Sequence, residues 1–314
     1  MNKKIIIAAV LGLLTMTANA QFLFRISGNG LEKPSYILGT IHTLPGSLLD
    51  SIPAFLDAEA QCQQVYVESN VTDQQTMNDM ANAGIQVMTL PDGKTIFDVL
   101  NKEQMDLLSS KYKEVLHINL VDSTSKSVWN YSPVAHILTF NAVMTAIEMQ
   151  THPGLGFSGM PIDVVCMSRA KERGISLGEL DEKLNQEHSD KAHNEMTQNL
   201  DAQVDSLMAF LNSIEERRQG ILKEQQFVAQ TSELWRKGDF DSFATDGNWL
   251  SEIEKNPVLY KERNDKWVPK ILAAMRKAPT MFVFGAGHLV GKDGVIQQLS
   301  EAGYNVEQVK ERNE

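Results

Sequence analysis

Strand-like apolar runs cluster at the two ends of the chain. "FLFRIS" (22–27) and "SYILGT" (35–40) read as strands, and "GNGLEKP" between them reads as a hairpin turn. Over 46–63, Leu48, Leu49, Ile52, Phe55, Leu56 and Ala60 recur near helical spacing, which predicts a helix with Pro53 early in it. "QVYVES" (64–69) predicts a strand ending on Glu68, and 71–85 a helix. "TIFDVL" reads as a turn before the amphipathic helix "NKEQMDLLSSKYKEVL". A further helix is expected over 132–150, with Pro133 in its first turn, followed by a Gly/Pro-rich loop over 151–161. "IDVVCMSRAKERG" predicts a helix stopped by Gly174, and "ISLGEL" (175–180) a strand. The polar stretch from about 185 to 236 reads as helical, and 257–277 as a helix bent or broken near Pro269. From 280 onward the pattern is strand, loop, helix, strand.

Strand–helix units thus stand at both ends, with a mostly helical middle. The expected class is α/β, with one central sheet built from both ends of the chain and the helical middle as an insertion or cap. The organisation expected is a single domain over 21–314, with helical insertions at about 95–160 and 185–275. No linker, low-complexity run or tandem repeat interrupts it.

Residues 1–20 change the expected location. Lys3 and Lys4, the apolar run "IIIAAVLGLLTM" and "ANA" before Gln21 follow the pattern of a cleaved export signal. The apolar run is short for a membrane span. The expectation is therefore a soluble periplasmic protein without stable membrane insertion. A net charge of −11 over 314 residues argues against nucleic acid or an anionic membrane as partner. Cys62 and Cys166 leave two possibilities open in an exported chain, a disulfide or two buried thiols.

Candidate chemistry comes from a repeated arrangement. "YILGTIHTLP" (36–45) is an apolar run, Gly39, two residues and His42; "MFVFGAGHLVG" (281–291) repeats this with Gly285 and His288. The carboxyl ends of strands in an open α/β sheet are where ligands usually bind. Glu68 ends a strand in the same way. Two His and one Glu can hold a divalent cation with an open position for water, or serve as an acid/base set without metal. A solitary Gly-x-x-His arises often by chance, so the pairing carries the argument. "GAGHLVGKDG" is neither phosphate loop nor dinucleotide fingerprint: Ala286 and Asp293 break the first pattern, and Val290 the second.

Together these segments resemble the TraB/GumN family, which includes the TIKI proteases and the pheromone-shutdown proteins. The resemblance is carried by "YILGTIHTLP", "VYVES", "IDVVCMSRAKERGISLGELDEKLNQ", "ERNDKW" (262–267) and the closing "FVFGAGHLVGKDGVIQQLSEAGYNVEQV", in order along nearly the whole chain. In one place the chain departs: Pro161 stands before Ile162-Asp163, where the family usually has Gly. The resemblance implies a fold like that of the erythromycin esterases and the haem-binding ChaN proteins. For the TIKI branch it implies metal-dependent proteolysis using the two motif histidines and the glutamate, with Arg263 and Asn264 lining the same site. Arg263 is suited to hold a substrate carboxylate or carbonyl, or to pair with Glu68, and Asn264 to donate to an oxyanion. Glu179, at another strand end, is a candidate ligand, base or orienting partner, or simply a solvated residue. His136 reads as a packed helix residue and His152 as a loop residue, while His117, His188 and His193 carry no assignment. Trp129, Trp235, Trp249 and Trp267 read as packing.

The expected function is a metal-dependent hydrolase, most simply a peptidase. His42, Glu68 and His288 would hold Mn²⁺, Co²⁺ or Zn²⁺, and Glu68 if it is not a ligand, otherwise Glu179, would accept the proton of the attacking water. Peptides or small molecules are the expected substrates. The rivals are a hydrolase without metal, and a protein that binds a peptide or haem without catalysis; the fold alone does not separate them.

Overall fold

The computed structural model describes residues 22–74, 77–78, 84, 88–151, 159–181 and 199–310. The expected export signal, most of the helix expected over 71–85, and His152, His188 and His193 lie outside the described residues.

Six strands form one mixed sheet: β1 Leu23–Ser27, β2 Ser35–Thr40, β3 Gln64–Val67, β4 Ser176–Glu179, β5 Thr280–Gly285 and β6 Asn305–Gln308. Their order across the sheet is β4-β3-β5-β2-β1-β6. β2, from the start of the chain, lies parallel to β5, from its end, with Tyr36 opposite Met281 and Thr40 opposite Gly285. The two ends therefore build the centre of the sheet, and β1 pairs antiparallel with β2 and β6. β2 and most of β5 are buried. Their near-continuous apolar runs suit strands with both faces covered. Because β2, β3, β4 and β5 are parallel, their carboxyl ends share one edge.

Several helices differ from the sequence pattern in instructive ways. The stretch 46–63 is a 3₁₀ turn, Gly46–Ser51, followed by helix Pro53–Gln61. Pro53 starts that helix at its first position, where a missing N–H costs nothing. Helix Lys261–Lys277 is not broken at Pro269, so of the bend or break expected there the break is absent. Trp267 and Val268 before the proline, and Ile271 and Ala274 after it, are buried in one core, and that packing outweighs a lost backbone bond. The 199–236 stretch divides at Ser213 into Leu200–Asn212 and Ile214–Lys237.

The apolar residues form two cores. One wraps the sheet and includes Trp235, Trp267, Phe55 and Phe284. The other lies among helices Lys102–Val115, Pro133–Thr151 and Leu200–Asn212 and includes Tyr112, Phe140 and Leu207. His136 belongs there as a buried packing residue, as its helical spacing indicates. Cys62 and Cys166 are free and buried, and burial pushes the Cys62 thiol up to about 12 and the Cys166 thiol well above its ordinary range. Of the two possibilities left open, the structure has the buried thiols. Among the described residues no helix is long and apolar enough to cross a membrane.

Candidate active site

The carboxyl edge of the parallel strands opens into a cleft of about 300 Å³ lined by His42, Glu68, Arg263 and His288, among others. His42 lies just past β2, Glu68 immediately after β3, and His288 in the turn Ala286–Leu289 that leaves β5. The repeated Gly-x-x-His arrangement thus delivers both imidazoles to one place. A Cβ at Gly285 would sit 3.2 Å from His42 Nε2 and 3.3 Å from Glu68 Oε1, so the glycine leaves room for both side chains to approach β5 closely. At Gly39 a Cβ would meet Leu289 Cδ1 at 2.5 Å, so this glycine lets the turn carrying His288 close against β2.

Each imidazole is oriented from behind. His42 Nδ1 donates to Asp163 Oδ2 at 2.8 Å, and Thr40 Oγ1 donates to Asp163 Oδ1 at 2.6 Å. Asp163 reaches this position from the first turn of helix Ile162–Glu172, whose start is tied to the His42 loop by Ile162 N donating to Leu44 O and Gly46 N to Met160 O. With Pro161 just before this helix, Asp163 reaches His42. His288 Nδ1 donates to Asn264 Oδ1 at 2.7 Å. Asn264 Nδ2 donates to the carbonyls of His288 and Asp293, which fixes the amide with its oxygen toward the ring. This gives Asn264 a different task from the oxyanion donor expected: it is buried, its donors face inward, and it sets the tautomer of His288.

Arg263 ties the acidic groups together. Its Nη2 donates to Glu68 Oε2 at 2.6 Å and to Asp181 Oδ2 at 2.8 Å, and its Nε donates to Asp181 Oδ1 at 3.1 Å. The guanidinium lies 4.5 Å over the Trp267 ring. Trp267 Nε1 and Ser69 Oγ also donate to Asp181. Of the two Arg263 tasks weighed from sequence, pairing with Glu68 is the one present. Glu68 Oε1 accepts from Gly285 N at 2.7 Å.

Glu179 is not brought to the cleft. It is exposed at the end of edge strand β4, opposite Val67, and the acid in the network is Asp181, two residues on. Backbone bonds from Leu180 N to Val67 O and Asp181 N to Glu68 O continue the ladder and place Asp181 beside Glu68. Sequence reasoning missed Asp181 because it chose the acid at the strand's last residue. It also read Trp249 and Trp267 as packing only, whereas Trp249 lines the cleft and Trp267 supports Arg263.

The two imidazoles carry different charge. The hydrogen bond to Asp163, against the cost of burial, raises His42 to about 9, with the charges of Asp163 and Glu68 adding to it. Burial, helped by the Arg263 charge, lowers His288 to about 3. Burial would raise the Asp181 carboxyl, but Arg263, Trp267 and Ser69 together hold it below its ordinary range.

The donor chemistry suits a divalent cation. With Nδ1 engaged, each histidine turns Nε2 away from its anchor, the arrangement usual for metal-ligating histidines. Glu68 Oε1 is 3.9 Å from His42 Nε2. The third donor is turned elsewhere: His288 Nε2 faces Arg263 Nη1 at 3.2 Å. Among the described residues no three His, Cys, Asp or Glu side chains converge closely enough to hold a metal ion. The donor types suit a divalent cation, but His288 Nε2 is held by Arg263, and His42 would have to give up its Nε2 proton to bind one.

Comparison with known proteins agrees with the sequence motifs. A family model described as the TraB/PrgY/gumN family matches residues 22–308. The chain is 24% identical over 319 residues to metalloprotease TIKI2 of Xenopus tropicalis, covering 87% of this chain and 57% of that protein. It is 24% identical over 315 residues to a metalloprotease TIKI homolog of Nematostella vectensis, covering 90% and 66%. It is 24% identical over 312 residues to metalloprotease TIKI1 of Danio rerio, covering 88% and 61%. The chain spans less than two thirds of the length of each of these relatives. No solved structure matches it significantly.

Proposed function

Because the chain belongs to the TraB/PrgY/gumN family, we propose that it is an exported, metalloprotease-like hydrolase that cleaves amide bonds at the edge of its parallel strands. The observation that carries this reading is the pair of oppositely anchored imidazoles beside one carboxylate in a single cleft. The names of the relatives support it at low identity. An export signal over 1–20, a periplasmic location, and a fold shared with the erythromycin esterases and ChaN proteins belong to this reading. Peptides or small molecules are its substrates.

His42 through Nε2, Glu68, and His288 through Nε2 would hold a divalent cation, Mn²⁺, Co²⁺ or Zn²⁺. When bound, that cation would polarise a scissile carbonyl and acidify a water. The chain's own residues do the rest. Asp163 and Asn264 keep both Nε2 atoms turned away from their anchors. Where Glu68 does not serve as a ligand, it accepts the proton of a water through Oε1. Arg263, freed from His288, keeps its anchor on Asp181 and can offer a guanidinium N–H to negative charge developing on the carbonyl oxygen.

One observation favours a second reading. The Arg263 guanidinium already spans Glu68 and His288, supplying positive charge where a metal would. A hydrolase without metal could use that cation instead. Calorimetric titration of Mn²⁺, Co²⁺ and Zn²⁺ into wild type, His42→Ala and His288→Ala, with peptide hydrolysis in the presence and absence of chelator, separates the two. The first reading expects near-stoichiometric binding that either substitution abolishes, and hydrolysis lost with chelator. Hydrolysis that survives chelator, with no binding by wild type, establishes the second.

A further inference from the structure

The cleft has two unlike walls. His42, Glu68, Arg263 and His288 form one. The other is made by Val228 of helix Ile214–Lys237, Trp249 of helix Gly247–Lys255, and Leu259 and Tyr260 before helix Lys261–Lys277. Trp249 offers an apolar face because its polar atom is engaged: Nε1 donates to Thr231 Oγ1 at 3.3 Å. Its ring is held by Phe227 and Phe243, at 5.3 and 5.4 Å between centroids, so the wall is packed in place before any ligand arrives. The Tyr260 ring lies 5.2 Å from the His288 ring, which joins the apolar wall directly to the polar one. Leu259 is 46% exposed at the mouth, and its neighbour Val258 is 61% exposed.

We propose that this wall is the subsite for a hydrophobic substrate side chain, so that the hydrolase prefers peptides with a large apolar residue next to the scissile bond. The inference rests on the hydrolase reading for its chemistry and on the wall's composition for its selectivity. A peptide whose carbonyl accepts from Arg263 would have its neighbouring side chain in the cleft that Tyr260 and Trp249 also line. An acidic side chain there would lose water and gain no partner from Val228, Leu259 or the Trp249 ring face, and a lysine would gain only a cation–π contact with that ring. An apolar one would cover Leu259, whose exposure is otherwise unfavourable.

The test uses acetylated, amidated pentapeptides Gly-Gly-Xaa-Gly-Gly, with Xaa as Gly, Asp, Lys, Leu or Phe. Binding is read by calorimetry and cleavage by mass spectrometry, for wild type, Leu259→Asp and Val228→Asp. Leu259 is exposed, so its substitution leaves the fold intact even if that at Val228 does not. The expected result is at least about tenfold tighter binding of the Leu and Phe peptides than of the others, reduced several-fold or more by Leu259→Asp. Cleavage of all five peptides alike overturns the subsite and leaves the hydrolase reading standing. Selective binding without cleavage, with or without added Mn²⁺, supports the subsite and removes the hydrolase reading. Failure of every peptide to bind or be cleaved overturns the subsite.

Discussion

The strand edge and the helical core surround their histidines differently. At the edge each polar group serves another: Thr40 and His42 share Asp163, Asn264 holds His288, and Arg263 joins Asp181 to Glu68. In the helical core His136 receives one bond, Nδ1 to the Tyr112 hydroxyl at 2.6 Å, and its Nε2 has no hydrogen-bond partner among the described residues. Its surroundings are rings, with Tyr112 at 5.5 Å and Tyr131 at 5.9 Å between centroids. The edge orders charge toward a cleft, while the helical core buries mainly apolar surface, with His136 among its few buried polar residues. Stability and chemistry should therefore respond separately to substitutions in the two regions.

The largest expected effect tests the helical side. Phe140 is fully buried against Tyr112 and Phe210. Phe140→Ala should cost about 4 kcal/mol in urea denaturation. Cation binding and hydrolysis per folded molecule should not change. If hydrolysis falls further than the folded fraction, the helical core controls the cleft and the separation fails. The next effect tests the edge. Asp181→Ala leaves Arg263 and the Trp267 indole N–H without their shared acceptor, in a pair about 15% exposed on each side. The cost should be about 3 kcal/mol, and hydrolysis should drop beyond the loss of folded protein. Full hydrolysis in folded Asp181→Ala would reduce Asp181 to a structural residue.

The sequence made some of this legible and hid the rest for physical reasons. Strand pattern and the repeated glycine–histidine spacing are local signals, and they located His42, Glu68 and His288 on one edge before the sheet order was visible. Arg263 and Asn264 sit on a helix whose local pattern resembles any polar surface, so only family resemblance marked them. The task of Asn264 was illegible because it depends on Asp293, 29 residues away and met only in the folded chain. Asp181 escaped for a related reason: a short edge strand ends by pairing, and one strand's own alternation does not show how far the ladder with β3 continues. The absence of a break at Pro269 was likewise illegible, because the proline is read locally while its surroundings in the core are not.

The smallest expected effect uses pH to compare the histidines of the two regions. Burial lowers His136 from 6.5 to about 4, so the folded state binds its proton less readily than the unfolded chain does. Above 6.5 both states are neutral and the group contributes no slope. As pH falls below 6.5 the unfolded chain takes up the proton first, and stability is lost until the folded value is reached. Between pH 6.5 and about 5 the loss from His136 alone should be about 2 kcal/mol. His288 acts in the same direction for the same reason, burial, and its contribution is present in any His136 variant. His42 acts oppositely: raised to about 9 by Asp163, it stabilises fully below 6.5 and loses that contribution as pH rises through 9. Its ring is 62% exposed, so solvent screens the contribution. In His136→Phe the acid-side loss should shrink by the His136 share while any change above pH 7 persists. Urea denaturation of wild type and variant from pH 5 to 9 measures both. An unchanged acid slope in the variant would mean that His136 is hydrated in the fold, and that the helical core is no drier than the edge.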